Sequence, residues 1–229
     1  MLCRSPHPGE DWASIQSIPR TIKLDPFNNS RLIFEPIEEV AALRTGAPVV
    51  LAQQVKAGTA VPIKAAGAQL DIVANFSGDF TKPGLKIGLC VLDEPGRNTV
   101  AAPAPITTDS NSDAAPSPLC STGFAVTVSS GSDPSLGEVA ISGGGGSGPF
   151  LLATSTSSVS LRILVDRSVV EAFAQGGRGV VTHRVYPTKT ATAVAVVNMG
   201  TVDAQATVSV HQMATADPPT TLALLGGLR

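Results

Sequence analysis

Short runs of alternating apolar and polar residues, divided by Gly, Pro, Asp, Asn and Ser clusters, fill the chain from Ala47 onward. PVVLAQQV, QLDIVANF, LKIGLCVLD, FAVTVSS, VSLRILVD, VVEAFAQ, GVVTHRVY, ATAVAVVN and ATVSVHQ each read as a strand. No helical period separates them, so the pattern predicts an antiparallel β-sandwich. Upstream, WASIQSIPRTIKLD is strand-like with a break at Pro19, PFNNS is a turn cluster, and RLIFEP is a second short strand. The period changes at IEEVAALR, where Ile37, Val40, Ala41 and Arg44 fall at i, i+3, i+4 and i+7. Pro36 before it, Glu38 and Glu39 in the first turn and Gly46 after it predict a short helix of about two turns.

Two regions break the rhythm. Asp93 to Pro118 is rich in Pro, Ala, Ser and Asp and reads as a long surface loop; SGGGGSGP (Ser142 to Pro149) reads as a flexible, linker-like turn. The tail after Met213 has no evident place in a sheet.

Composition narrows the possibilities. The chain has 229 residues, enough for one sizeable all-β domain. With 43% hydrophobic but only 4% aromatic residues, its core must be built from Val, Leu, Ile and Ala. A net charge of −2 and the lack of a Lys/Arg-rich block disfavour nucleic acid as a partner. No apolar run is long enough to span a bilayer, so no membrane role is expected. The opening MLCRSPHPGEDWASIQ lacks the apolar stretch of a signal peptide, so either the chain is not secreted or Met1 is not the natural start. Three cysteines, Cys3, Cys90 and Cys120, allow one bridge at most. Asn28 (NNS) and Asn75 (NFS) fit the N-glycosylation pattern.

The candidate chemistry centres on LVDRSVVEAF. Asp166 and Glu171 could be a glycosidase pair if they faced one cleft about 5–9.5 Å apart. The competing reading makes Asp166 a turn residue accepting local N–H groups. Alternation then puts Glu171 beside Val169 and Phe173 on a partly buried face, where it needs a partner such as an arginine. The second reading is favoured, because charged residues in sheets usually serve solvation or pairing. His7, His183 and His211 are scattered, which gives no support to a metal site. There is no GxSxG elbow, and the glycine run is not followed by the Lys-Ser/Thr of a phosphate loop. No cofactor is indicated.

WASIQSIPRTIKLD, FEPIEEVAALR, GAQLDIVANF and LVDRSVVEAFAQGGRGVVTHRVYP occur in the same order as in plant-type members of glycoside hydrolase family 32, which the chain resembles from about Trp12 to Asn198. That family comprises invertases, fructan hydrolases and fructosyltransferases. The resemblance implies a five-bladed propeller carrying the active site, followed by a C-terminal β-sandwich. It would make residues 1–36 the remnant of the last blade, 37–45 a helical linker, 46–213 the sandwich and 214–229 a flexible tail. Trp12, Ile15, Ile18 and Ile22 would then form the face that packs on the propeller. The family's Asn-Asp-Pro-Asn-Gly, Arg-Asp-Pro and Glu-Cys strings do not occur in this sequence, so no catalytic residue carries over. The resemblance also implies a Cys90–Cys120 disulfide, although Cys90 falls where an aliphatic residue is usual; a buried free Cys90 is the alternative.

Three functions follow as expectations. The first is a non-catalytic sandwich with the end of a propeller blade: a truncated gene product, a cleaved subunit or a degenerate gene. Its partner would be a propeller catalytic subunit or missing N-terminal domain, with sucrose or fructan as the parent's carbohydrate and a secreted or vacuolar location. The second is a stand-alone carbohydrate-binding module, which the single Trp and single Tyr disfavour. The third is an autonomous enzyme using Asp166 and Glu171.

Overall fold

The computed structural model describes residues 15–96, 119–131, 138–144, 146–151 and 157–215. Most of the expected loop at 93–118, most of the tail and Trp12 therefore lie outside the described residues.

The described chain is almost entirely antiparallel strand. A two-stranded ribbon, β1 (Arg20–Asp25) and β2 (Asn28–Pro36), comes first. A short 3-10 helix (Glu38–Leu43) follows. Twelve further strands then build two six-stranded sheets: β3 (Arg44–Val55), β4 (Thr59–Ala66), β5 (Gln69–Ser77), β6 (Lys86–Asp93), β7 (Phe124–Ser130), β8 (Glu138–Gly143), β9 (Gly146–Leu151), β10 (Ser158–Asp166), β11 (Val169–Ala174), β12 (Gly179–Arg184), β13 (Ala193–Asn198) and β14 (Ala204–Met213). One sheet runs β12-β11-β10-β5-β14-β3, the other β4-β13-β6-β7-β8-β9.

Alternation explains why the sheets stack. Leu70, Ile72, Ala74 and Phe76 of β5 and Val159, Leu161, Ile163 and Val165 of β10 point to one face and are buried. They meet Ile87, Leu89 and Val91 of β6 and Val194 and Val196 of β13 in a single apolar layer. Few aromatics take part beyond Phe76, Phe80 and Phe150, as the composition requires.

The structure departs from the sequence reading in three places. The expected two-turn helix is a 3-10 segment with no side-chain N-cap bond, and Val40 is its buried residue. Six residues cannot repay the helix nucleation cost, and tertiary packing sets the geometry. TAVPIKAA, which the alternation pattern did not pick out, forms β4. It lies at a sheet edge, where Pro62 removes no essential ladder bond. The glycine-rich 142–149 stretch is part of the β8–β9 hairpin, with Ser142 opposite Ser147 and Gly143 opposite Gly146. Glycine is needed at Gly144: φ is +56°, and a Cβ there would sit 2.6 Å from Phe124 and 2.7 Å from His183, whose rings stack.

Candidate functional site

The ribbon is held to the sandwich by paired charges and one backbone clasp, and the residues first considered as catalytic are part of that joint. Leu164 of β10 and Glu171 and Phe173 of β11 point away from the core. With Val40, Leu164 and Phe173 form a small buried cluster of their own, against which Ile18, Ile37, Val180 and Met213 pack. The connection between ribbon and sandwich thus covers this end of the outer face.

Glu171 is 1% exposed and fully engaged. Its Oε1 accepts the Ile18 backbone N–H at 2.6 Å. Its Oε2 accepts from the Arg20 guanidinium at 2.5 Å and from the Thr182 hydroxyl at 3.3 Å. Arg20 also donates to Thr182 and lies over the Phe173 ring at 5.2 Å. The arginine partner that burial of Glu171 demands is therefore supplied by the ribbon, 151 residues away in sequence.

A second pair lies at the far end of the ribbon. Asp25, 4% exposed, takes two parallel bonds from Arg178, at 2.8 and 3.0 Å, and also accepts the Phe27 N–H. The hydrogen bonds from Arg178 hold the Asp25 carboxyl below the usual carboxylate range, against the opposing effect of burial. Between the two pairs the Phe34 N–H donates to the Gly177 carbonyl at 3.1 Å. Gly177 has φ +91°, and a Cβ on it would fall 2.2 Å from the Phe34 oxygen. Only glycine lets the β11–β12 turn approach the ribbon this closely.

A third buried group anchors the start of the sandwich. Asp71 is fully buried and accepts from Arg162 at 2.9 and 2.7 Å and from Arg44 at 2.8 Å. Burial pushes its carboxyl up, but the bonds from the two arginines outweigh this and leave it lowered. Burial and the nearby Arg44 charge lower His211.

Asp166 has a different environment. It is exposed at the end of β10, opposite Val169, and accepts from Gln69 at 3.2 Å. The Arg167-Ser168 turn that follows takes a positive φ of 51° at Arg167. Asp166 and Glu171 share a sheet face but no cleft, because Glu171 is buried under the ribbon and its oxygens are taken. The arrangement offers neither a free acid nor a free base, and a glycosidase pair is replaced by a turn residue and an ion pair.

The other sequence candidates fall as follows. Cys90 and Cys120 form a disulfide with Cα atoms 5.6 Å apart. It lies on the outer side of the second sheet, in a small cluster with Ala195 and Val197. Asn75 is exposed on β5; Asn28 is half-buried at the start of β2, where its Oδ1 accepts the Ser30 N–H. Ile22 is 61% exposed, but Ile18 packs toward the sandwich, and Ile15 is half-buried. Ile18, expected on the propeller-packing face, packs against the Val40, Leu164 and Phe173 cluster, and its N–H donates to Glu171. Leu24 at 59%, Phe27 at 70% and Leu32 at 50% complete an exposed apolar surface with Ile22. Among the described residues no three His, Cys, Asp or Glu side chains gather as a metal site, and no helix is long and apolar enough to cross a membrane.

The sequence reading did not single out Arg20, Asp25, Asp71 or Arg178. The only local sign was the GGRG turn, in which adjacent glycines precede an arginine.

Comparison with known proteins places part of the sandwich in a family. Residues 121–212, from just before β7 through most of β14, match the glycosyl hydrolases family 32 C-terminal domain. Acid beta-fructofuranosidase 2, vacuolar, of a Rosa hybrid cultivar is 33% identical over 205 residues, covering 78% of this chain and 30% of the relative. Acid beta-fructofuranosidase of Solanum lycopersicum is 33% identical over 203 residues with the same coverage. The chain thus spans about 30% of the length of these relatives. Fructan 1-exohydrolase IIa from Cichorium intybus shares the fold at a TM-score of 0.63 and 20% identity, over 90% of this chain and 42% of that one. Exo-inulinase from Aspergillus awamori does so at 0.64 and 18%, over 91% of this chain and 38% of that one. Residues 121–212 of the sandwich, which include Glu171 and Arg178, belong to the glycosyl hydrolases family 32 C-terminal domain.

Proposed function

We propose that this chain is the non-catalytic, C-terminal portion of a β-fructofuranosidase-like protein, and that its task is to hold the last strands of a propeller blade in place. The observation that carries this reading is the ribbon itself. Two strands are clamped to the sandwich by Glu171, Arg178 and Gly177, while Ile22, Leu24, Phe27 and Leu32 are turned to solvent. A contiguous apolar surface on a fixed ribbon is suited to packing against further strands. In this reading residues 1–36 belong to the blade, 37–45 to the linker and 46–213 to the sandwich. The parent activity would be hydrolysis or transfer of fructosyl units of sucrose or fructans by two carboxylates that a propeller catalytic subunit or N-terminal domain contributes. The family likeness and the relatives named above support it.

The test is an activity and association assay. The purified chain should release no fructose from sucrose or inulin, and it should co-purify with a family 32 propeller domain supplied in trans. Fructose release by the chain alone, abolished by Glu171→Gln, would overturn the proposal and restore the autonomous enzyme.

A further inference from the structure

We infer that Asn75 is an N-glycosylation site whose oligosaccharide covers the open part of the sandwich's outer face. The inference rests on β5 and its neighbours and is independent of the propeller reading above.

Asn75-Phe76-Ser77 is an acceptor triplet at the end of β5. Alternation sends Phe76 into the core, where it is 0% exposed, and sends Asn75 and Ser77 outward, where both are exposed. Among the described residues none hydrogen-bonds the Asn75 side chain, so its amide nitrogen is not engaged by them. The residues across from it are small: Ser160 on β10 and Thr207 on β14, with Ala52 beyond on β3. Among the described residues, these small neighbours leave room beside the amide for a bulky substituent.

The next row across the same face gives the sugar something to cover. It runs Val50, Ser209, Val73 and Arg162, and Val50 and Val73 are 60% and 40% exposed. The residues flanking the ribbon cover Leu164 and also Phe173, which ends this row beyond Arg162, and they leave Val50 and Val73 open. The C–H face of the first N-acetylglucosamine residues would lie over the two valines.

Topology supplies the opportunity. In the finished fold β5 is bonded on both sides and closed to any enzyme. Its neighbours are β10 (Ser158–Asp166) and β14 (Ala204–Met213), both far downstream. During synthesis β5 therefore emerges as an unpaired extended segment and stays so until those strands are made. The disulfide points to the compartment: the buried Cys90–Cys120 bridge needs an oxidising lumen, where N-glycosylation also occurs.

The step is a glycosyl transfer from a polyprenyl-diphosphate-linked oligosaccharide. The Asn75 Nδ2 attacks the anomeric carbon and a C–N bond forms. The C–O bond to the diphosphate breaks, and the diphosphate leaves with the bonding pair. One amide proton passes to a base.

The test is to direct the whole chain into the secretory pathway of eukaryotic cells behind a cleavable leader. The folded product is then treated with peptide N-glycosidase in heavy-oxygen water. The peptide containing residue 75 should carry a labelled aspartate in place of Asn75. Ser77→Ala, which leaves Asn75 and the core untouched, should abolish the label and increase mobility on a denaturing gel. Chain refolded from bacteria should not become modified when given microsomes, because β5 is already paired. Recovery of the residue-75 peptide unmodified from folded, disulfide-bonded chain would overturn the inference, even with Asn28 labelled.

Discussion

The sandwich and the ribbon solve the same problem differently. Both are antiparallel strands with one apolar face. In the sandwich, Ile72 and Phe76 are buried against Ile87 and Val196, so each sheet completes the other. In the ribbon Ile33 is 6% exposed on the side facing the sandwich, while Ile22, Leu24 and Leu32 remain 50–61% exposed on the side facing away; Phe27, in the turn, lies under the Arg178 guanidinium. The sandwich is held by apolar area, and the ribbon mainly by directed polar contacts: Glu171 with Arg20, Asp25 with Arg178, and the bond between Phe34 and Gly177. Burial of area is non-directional and tolerates repacking. Charge pairs and one backbone bond fix an angle. A ribbon that must meet another surface needs its angle fixed more than it needs stability.

The contrast can be tested from its strongest side down. Leu161→Ala, in the centre of β10, should lower global stability by about 2–5 kcal/mol, read from the denaturant midpoint, because it leaves a cavity under both sheets. Glu171→Ala strips the bonds from Arg20, Thr182 and the Ile18 N–H and should cost about 3 kcal/mol. Its signature is local: the Ile18 and Phe34 amides should lose hydrogen-exchange protection before the sandwich amides do. If all amides change together, ribbon and sandwich are one cooperative unit and the contrast fails. Gly177→Ala should cost about 1–3 kcal/mol and release the same amides, because its Cβ would collide with the Phe34 carbonyl.

Acid should separate the regions without mutation. Asp25 and Asp71 have folded-state pKa values below 3.8, so each contributes its full stabilisation above that value and loses it as pH falls through the lower folded one. His211, lowered from 6.5, acts in the same direction: the unfolded chain takes up its proton first, so stability declines as pH falls past the ordinary histidine value. The ribbon amides should therefore stay protected above the ordinary carboxylate range and open only as pH falls below it, through the lowered value of Asp25. Opening near neutral pH would contradict this assignment of charges. The smallest effect belongs to the exposed face. Leu32→Ser in the chain alone should change stability by no more than about 0.5 kcal/mol while reducing self-association on a sizing column.

How much of this was legible beforehand differs by element. QLDIVANF, LKIGLCVLD and LVDRSVVEAF read correctly as strands because their partners lie on both sides and one face is uniformly apolar. TAVPIKAA escaped notice because an edge strand tolerates a proline that would exclude a central one. The GGGG stretch suggested flexibility, but glycine serves equally where a tight turn passes close under Phe124 and His183. Glu171 was visible as a carboxylate that burial would oblige to pair, yet Arg20 could not be named. Four arginines meet three of the buried carboxylates, Asp25, Asp71 and Glu171, and each partnership spans 27 residues or more.

The sequence determined by itself that the chain is a strand sandwich, because period-two alternation and local turn chemistry act between near neighbours, while its motifs pointed to the family by resemblance. It also determined that the family's catalytic strings do not occur in it. Only the tertiary structure decided what the two suspected carboxylates do. Asp166 was left in a turn, and Glu171 was covered by a segment 151 residues upstream. A carboxylate's role follows from what neutralises it, and that neighbour is chosen by how the sheets stack, which no local pattern encodes.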